Sequence, residues 1–342
     1  MGIVGLKRIK RREELNKMSD KELIIGIDGG GSKTTCVLFD TNGNTLDTLK
    51  GDGSNIYVYK KEGIVTILGL IDSVLQKNKL NIGDIHAFGI AIAGISNFDQ
   101  KEVLLKELDR INITKKTILL SDVEAAYKIL CPNNIGLLVN VGTGIICFAK
   151  DKEGKIIKEA GNGHDKGDLG SGYWLGKEIF YKLTLNEALV FEDEDLNKIF
   201  NIITKRFKVK TFRDLYDKIE RGDDLFVYLA SLGEDTIDLA ESGNDVALSI
   251  VQEGTRYVSD YIIRMSERLE LITSNDLIIA INGSIIKNNF YRQLLEESLE
   301  FEFKKIHWVS SPISSAYGSG LIAANYNNMN ISAKEIIEKN KN

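Results

Sequence analysis

The sequence predicts an α/β protein in which one sheet-forming unit is used twice. Two observations carry this. Ile24–Asp28 reads as a buried strand that enters the glycine-rich run Gly29-Gly30-Gly31-Ser32-Lys33-Thr34 and returns as the strand Cys36–Asp40. The same order recurs as strand Gly136–Asn140, turn Val141-Gly142-Thr143-Gly144 and strand Ile145–Ala149, closed by the hairpin turn Asp151-Lys152-Glu153-Gly154. Cys36, Asp40 and Gly43 each have a counterpart 111 residues later, at Cys147, Asp151 and Gly154. An internal repeat of this kind marks a duplicated supersecondary unit. At 342 residues the chain is long enough for two such domains with real cores, and two similar sheets would offer their glycine turns to a shared cleft.

The elements follow in order. After the turn Asp40–Asn44 comes a third strand near Thr45–Leu49, an antiparallel return. Gly51-Asp52-Gly53-Ser54-Asn55 is a loop. Glu62–Lys77 carries Ile64, Ile67, Leu68, Ile71 and Leu75 at helical spacing. His86–Ala93 is a continuous apolar strand closed by Gly94, Glu102–Leu108 a short helix, and Thr117–Leu120 a strand ending in Ser121-Asp122 before a helix over Val123–Leu130. Beyond the second repeat, residues 175–275 read as a helical insertion charged on one face, with Asn244 or Asp245 capping a long helix to about Leu269. Asp276–Ile281 is a strand entering Asn282-Gly283-Ser284, and a helix begins near Lys287. A last strand, Lys305–Val309, precedes a Gly/Ser/Ala-rich helix around Ser315–Asn325, and the final fifteen or so residues read as a frayed helix or tail.

These elements divide the chain into a first domain over 22–134 and a second over 135–312, with a helix over 313–328 packing back on the first. Residues 1–21 are basic and poor in core residues and stand outside the fold. Met18 offers an alternative start, and a nucleic-acid- or partner-binding arm is the other reading of the tail.

Composition narrows the function. A net charge of −5 argues against a nucleic-acid binder, and no apolar run is long enough to span a membrane. Cys36, Cys131 and Cys147 lack any CxxC spacing, so neither a disulfide framework nor a metal cluster is suggested, and a reducing cytoplasm is the expected setting. The three consecutive glycines can point successive N–H groups into one concavity, the way backbone holds phosphate, with Ser32, Lys33 and Thr34 adding hydroxyls and a charge. The glycines could also serve the turn alone. Asp28, at the strand's end, is placed to hold a hydrated Mg2+ opposite such phosphates. Asp122 is open to two readings, a general base at the end of a strand or the cap of the helix that follows. Asp168 lies in a run holding Gly161, Gly163, Gly167, Gly170 and Gly172, where it serves either a ligand or a turn. Trp174 and Tyr173 are expected as core at a helix start, and His86 and His307 have no assigned role.

The motifs GIDGGGSKT (Gly26–Thr34), GSN (Gly53–Asn55), IAGISN (Ile92–Asn97), LSDVEAA (Leu120–Ala126), NVGTG (Asn140–Gly144), GNGHDKGDLGSGYWLG (Gly161–Gly176) and INGSIIKN (Ile281–Asn288) occur here in one order. In this the chain resembles the BadF/BadG/BcrA/BcrD ATPase family and its N-acetylglucosamine kinase branch, within the actin/sugar-kinase/Hsp70 superfamily, over residues 22–328. The resemblance implies two ribonuclease H-like (actin-like ATPase) domains flanking an ATP/sugar cleft. It implies that Gly29–Thr34 and Gly142–Gly144 grip ATP phosphates, that Asp28 organises Mg2+ through water, and that Gly283 and Ser284 lie by the adenosine. Asp122 would be the catalytic base. Asn55, Gly94, Asp122, Thr143, Gly161, Asn162, Gly163 and Asp168 would contact the sugar.

The expected activity is phosphoryl transfer from ATP to a hydroxyl, the 6-hydroxyl first, of N-acetylglucosamine, N-acetylmuramic acid or glucosamine in amino-sugar salvage, with a homodimer as one expectation. The chain departs from the family pattern at Asn162 and Leu169, where tryptophan and glutamate are usual, and at Asp165 and Lys166. A pocket widened at Asn162 could take a lactyl-substituted sugar whose carboxylate pairs with Lys166; Lys166 could equally be a surface residue of a variant loop. The alternatives are an ATPase that activates a dehydratase, which would need cysteines for a cluster, and a sugar-responsive sensor without phosphorylation.

Overall fold

Gly26 and Gly89 explain the first half of the molecule. A Cβ on Gly26 would lie 1.9 Å from the Ala316 carbonyl oxygen, and one on Gly89 1.9 Å from that of Ser319. Bare backbone on two adjacent strands therefore lets a helix of small residues lie directly on the sheet. That is the packing reason for the Gly/Ser/Ala-rich composition of the helix Ser315–Tyr326. The computed structural model describes residues 22–132, 136–151, 153–163, 168–220, 225–271 and 276–341.

The chain divides into two compact units, residues 1–132 with 311–342 and residues 133–310. In the first unit β1 (Leu23–Gly29), β2 (Lys33–Asp40), β3 (Thr45–Asp52), β4 (Ile85–Ile92) and β5 (Thr117–Leu120) form a sheet of order β3-β2-β1-β4-β5. β1, β4 and β5 run parallel and β2 and β3 antiparallel. The near-continuous apolar sequence and burial of β1, β2 and β4 are those of strands covered on both faces. One face packs on Ile64, Ile67, Ile71 and Val74 of α1 (Lys60–Asn78) and on Leu104 and Leu108 of α2 (Phe98–Arg110). On the other face Ile24, Val37, Phe39 and Ala87 meet Ile129 of α3 (Asp122–Leu130) and the C-terminal residues Ala316, Tyr317 and Leu321.

In the second unit β6 (Leu137–Val141), β7 (Ile145–Lys150), β8 (Ile156–Ala160), β9 (Asp276–Asn282) and β10 (Lys305–Ser310) are ordered β10-β9-β6-β7-β8. Read from the other edge, that is the order of the first sheet. The long segment between β8 and β9 forms α4 (Gly172–Leu185), α5 (Glu194–Phe207), α6 (Phe212–Glu220), α7 (Leu225–Glu241) and α8 (Asp245–Arg268). Asn244 Oδ1 accepts from the Ala247 amide and so caps α8 as expected. A short turn of helix, α9 (Ser284–Lys287), and α10 (Asn289–Leu299) lead to β10. The fold class is α/β in both units, each built on one of two like sheets.

The repeat holds at atomic detail. Asp40 Oδ1 accepts from the amides of Asn42 (3.0 Å) and Asn44 (2.9 Å), and Asp151 Oδ1 from those of Glu153 (3.1 Å) and Lys155 (2.7 Å). Gly43 and Gly154 follow with φ of +77° and +81°, left-handed backbone that glycine takes without strain. Cys36 pairs with Ile27, and Cys147 with Val139.

Two elements differ from the sequence expectation. The helix read as Glu102–Leu108 runs from Phe98 to Arg110, because Asn97 Oδ1 accepts from the Gln100 amide and starts it a turn earlier. The last residues are a packed helix, α12 (Ala333–Asn340), with α11 (Ser315–Tyr326) before it. Ile336 is fully buried and Asn340 Nδ2 donates to the Gly43 carbonyl at 2.9 Å, so a long-range contact rather than local propensity holds α12. Among the described residues no helix is long and apolar enough to cross a membrane.

Candidate active site

In the first unit the chemistry-bearing residues gather at one end of the sheet. Asp28 of β1 lies level with Ala91 of β4, and Ala91 with Leu120 of β5. Asp28, Gly94 and Asp122 therefore sit at or just past the carboxyl ends of three neighbouring parallel strands, where open α/β sheets place their ligands. With strands about 4.8 Å apart, Asp28 and the end of β5 are roughly 10 Å from each other.

The glycine loop is fixed from one side. Both the Ser54 and Asn55 amides donate to the Gly30 carbonyl, at 3.0 and 3.1 Å, and the Tyr59 hydroxyl donates to the Gly31 carbonyl at 2.6 Å. Thr34 Oγ1, fully buried, lies 2.6 Å from the Asp52 carbonyl and 2.8 Å from Ser54 Oγ. Gly29 has no room for a side chain, since a Cβ would stand 2.1 Å from Ser54 Oγ. Gly30 faces open space, its Cβ position meeting only the Lys33 carbonyl at 3.7 Å. Ser32 and Lys33 are exposed. Asn55 and Gly94 are neighbours: a Cβ on Gly94 would lie 2.5 Å from Asn55 Oδ1. That oxygen already accepts from the amides of Tyr57 (3.0 Å) and Val58 (3.3 Å), so Asn55 shapes its own turn.

Asp122 is the first residue of α3. The helix is capped by its neighbour Ser121, in a reciprocal box with Glu124 whose Oε2 accepts from the Ser121 amide (3.0 Å) and hydroxyl (2.7 Å). The capping role that competed for Asp122 thus belongs to Ser121. Burial pushes the Asp122 carboxyl above the usual carboxylate range; its own amide and that of Val123 oppose the shift, and the nearby Glu124 charge adds to it.

The second unit has its own cluster. Asn140 and Asn282 are register partners at the ends of β6 and β9, and Asn282 Nδ2 donates to Asn140 Oδ1 at 2.9 Å. The loops that follow touch: Gly283 has φ +96°, and a Cβ on it would lie 2.2 Å from the Val141 carbonyl. The first two amides of α4 hold the second glycine loop, Gly172 N–H donating to the Gly142 carbonyl (2.8 Å) and Tyr173 N–H to that of Thr143 (3.1 Å). Asp168 reaches the same loop, its Oδ2 lying 3.0 Å from where a Gly144 Cβ would be. Ser284 opens α9. Gly161, Asn162 and Gly163 are exposed, Gly161 against Ile146 of β7 and Gly163 with no described residue within 4 Å of its Cβ position. Lys166, with His164, Asp165 and Gly167, lies outside the described residues, so the proposed pairing with a sugar carboxylate does too.

Sequence reasoning missed Tyr59, Ser54 and the Asn140–Asn282 pair. The asparagines stood in the quoted motifs; nothing local marked Tyr59, whose partner is 28 residues away. Tyr173 stacks on Phe226 (4.9 Å) and Trp174 is buried edge-on to Tyr257 (5.6 Å), both as core. His86 has a structural task, its Nδ1 accepting from the Leu23 amide at 3.1 Å. Cys36, Cys131 and Cys147 are all free and buried. Burial pushes the thiols of Cys36 and Cys131 up to about 12 and that of Cys147 higher still.

The model of the BadF/BadG/BcrA/BcrD ATPase family matches residues 25–323. The chain belongs to this family. Among curated members and relatives, an N-acetylmuramic acid/N-acetylglucosamine kinase of Clostridium acetobutylicum is 28% identical over 305 residues, covering 88% of this chain and 97% of that protein. An N-acetyl-D-glucosamine kinase of Dictyostelium discoideum is 25% identical over 322 residues, covering 89% and 98%. A Chromobacterium violaceum crystal structure, provisionally assigned as an N-acetylglucosamine kinase, superposes with a TM-score of 0.68 at 18% identity, covering 88% of this chain and 99% of that one. A ROK family glucokinase of Streptomyces griseus, solved with glucose and AMPPNP, gives 0.56 at 13%, covering 89% and 99%. At these identities the two structures speak for the fold, which is the actin-like sugar-kinase fold. As a BadF/BadG/BcrA/BcrD ATPase the chain uses ATP.

The residues present fit that nucleotide and its metal. Gly30 and Gly142 leave open space beside backbone, Gly142 meeting only Gly283 Cα at 3.7 Å and Ser284 N at 3.9 Å. Among the described residues no group of three or more His, Cys, Asp and Glu could hold an ion by itself. Asp28, at its strand end, would suit an Mg2+ held largely by phosphate oxygens and water.

Proposed function

We propose that this chain is an ATP-dependent amino-sugar kinase that phosphorylates the 6-hydroxyl of N-acetylglucosamine or N-acetylmuramic acid. That it is a carbohydrate kinase follows from its correspondence with the two curated kinases along nearly their whole length. The acceptor sugar, the hydroxyl and a place in cytoplasmic amino-sugar salvage are our reading. The observation that carries it is Asp122: a carboxylate made more basic by burial, two residues past Leu120, which is level with Asp28, and close along the sheet edge to Gly94 and Asn55.

In this reading Asp122 accepts the proton of the attacking hydroxyl, a contribution of about 10²- to 10⁴-fold in rate. The Gly29–Thr34 and Gly142–Gly144 loops hold phosphate oxygens by backbone N–H groups, and Gly283-Ser284 flank the adenosine. Mg2+, when bound through Asp28, neutralises charge on the transferred phosphoryl group. Asn55, Gly94, Thr143, Gly161, Asn162, Gly163 and Asp168 are the proposed sugar contacts. The dehydratase-activator reading has little to stand on, because the three cysteines are buried and protonated.

ADP release in a coupled assay tests the proposal. The panel holds N-acetylglucosamine, N-acetylmuramic acid, glucosamine, N-acetylmannosamine and glucose, with Asp122→Asn alongside. We expect turnover on the N-acetyl sugars that the variant loses; ATP hydrolysis with no acceptor dependence would refute the kinase reading.

A further inference from the structure

Tyr59 is the residue of the first unit whose contact the kinase reading leaves unexplained. It stands just before α1, anchored by its own backbone: its amide donates to the Asn55 carbonyl at 2.8 Å, and its carbonyl accepts from the Glu62 amide at 3.0 Å. The turn is therefore complete without the phenol. The hydroxyl instead reaches 28 residues back to the Gly31 carbonyl at 2.6 Å. Packing around this contact is tight. A Cβ on Gly53 would lie 2.3 Å from the Gly31 carbonyl oxygen and 2.7 Å from Tyr59 Cε2.

A trans peptide is planar, with the carbonyl of one residue and the N–H of the next pointing in opposite directions. No cis peptide is present among the described residues. Because the Gly30 carbonyl is taken by Ser54 and Asn55, the Gly31 N–H is turned away from that segment. Because the Gly31 carbonyl is taken by Tyr59, the Ser32 N–H is turned away from Tyr59. Two successive amides thus face the side opposite the Gly53–Tyr59 segment, the arrangement of an anion-binding nest. One of the two depends on a single side-chain hydroxyl.

We propose that Tyr59 is a positioning residue for phosphate: by holding the Gly31 carbonyl it aims the Ser32 N–H at the nucleotide's phosphate oxygens. This rests on the reading of Gly29–Thr34 as a phosphate loop, and on nothing about the sugar. Without the hydroxyl, three adjacent glycines leave the Gly31–Ser32 peptide free to rotate, and ligand binding must then order it.

The test is calorimetric binding of AMPPNP and of adenosine, with Mg2+, to the full chain as wild type, Tyr59→Phe and Gly53→Ala. Gly53→Ala puts a methyl against both the Gly31 carbonyl and the Tyr59 ring, and so disturbs the same contact without removing the hydroxyl group. We expect the wild type to prefer AMPPNP, and each variant to lose about tenfold of AMPPNP affinity, the scale of one hydrogen bond to a charged group. Adenosine affinity should not change, and the Tyr59→Phe thermal midpoint should stay near that of the wild type. A purely structural tyrosine would lower the midpoint and leave the AMPPNP-to-adenosine ratio intact, and that result overturns the proposal. Equal loss of both ligands overturns it as well. A wild type that binds AMPPNP no better than adenosine would refute the phosphate-loop reading itself, and with it this role for Tyr59.

Discussion

The two glycine loops solve one problem by different means. In each, two successive carbonyls are captured, so the two amides that follow face the other way. In the first unit the captors are the Ser54 and Asn55 amides and the Tyr59 hydroxyl. In the second they are the Gly172 and Tyr173 amides at the start of α4. The second clamp is all backbone, and no side-chain replacement can remove its donors short of proline. The first hangs partly on one phenol. The residues around them differ in charge as well. Pairing β1–β2 and β6–β7 by their cysteines sets Asp28 against Asn140, and Asp122, two residues past the end of β5, against Pro312, two residues past the end of β10. A duplicated frame has kept its backbone while carboxylates stand at these positions in one copy only.

The largest effect should come from the carboxylate side of that contrast. Asp122→Asn should lower kcat by about 10²- to 10⁴-fold with nucleotide affinity retained. In the wild type, kcat/KM should fall on the acid side with a pKa above the ordinary carboxylate value of 3.8, because the base works only when ionised and burial resists ionisation. The sign for stability is opposite. A carboxyl whose folded pKa is raised costs stability as pH climbs from its unfolded pKa through its folded one, so Asp122→Asn should unfold at higher urea than the wild type at neutral pH and match it near pH 3. A variant less stable at both would mean that the carboxylate is held by its contacts more than it is strained by burial.

Next in size is the helix that lies on the first sheet. Gly89→Ala puts a methyl 1.9 Å from the Ser319 carbonyl oxygen, where only backbone could move. It should cost about 3 kcal/mol in urea unfolding, at the upper end for overpacking. Gly154→Ala, with open space around its Cβ position in the second unit, should cost about 1 kcal/mol from its positive φ alone. Similar losses at the two sites would remove the distinction between close approach and backbone conformation.

The smallest contrast is between the twin turns. Asp40 is buried and also receives Asn44 Nδ2 at 3.1 and 2.9 Å, whereas the Asp151 side chain, among the described residues, accepts from two amides and is half-exposed. Asp40→Ala should cost about 2 kcal/mol and Asp151→Ala about 1 kcal/mol or less, read as thermal midpoints. Equal costs would show that the turn hydrogen bonds, and not burial, set the value.

These residues also show what the sequence could disclose. Asp40-x-x-Gly43 and Asp151-x-x-Gly154 were legible because turn chemistry is local: a short carboxylate two to four residues before the amides it serves. The strands were legible from their apolar runs, and α8 from its cap and spacing. Helix α12 was not, since its one fully buried residue, Ile336, matters only once Gly43 has been brought beside it. Tyr59 was hidden for the same reason, as is any contact closed across 28 residues. Asp28 and Asp122 could be picked out as strand-end acids, but that they gather at one edge of one sheet is a property of the register. The competing role for Asp122 was settled by Ser121 and Glu124, both visible in the sequence as a capping box.

The route of the chain through its units bears on how the protein is made. Residues 311–342 complete the first unit, supplying Ala316, Tyr317, Leu321 and Ile336 to the layer over Ile24, Val37 and Phe39. Residues 133–310 form the second without a break. On a ribosome, the stretch made first must therefore wait, one face of its sheet covered only in part by α3, while the stretch made later closes its own core. Synthesis runs from the amino end, yet the first unit can become whole only after residues 311–342 have left the tunnel. During that interval the bare strands around Gly26 and Gly89 are the surface a chaperone would need to guard.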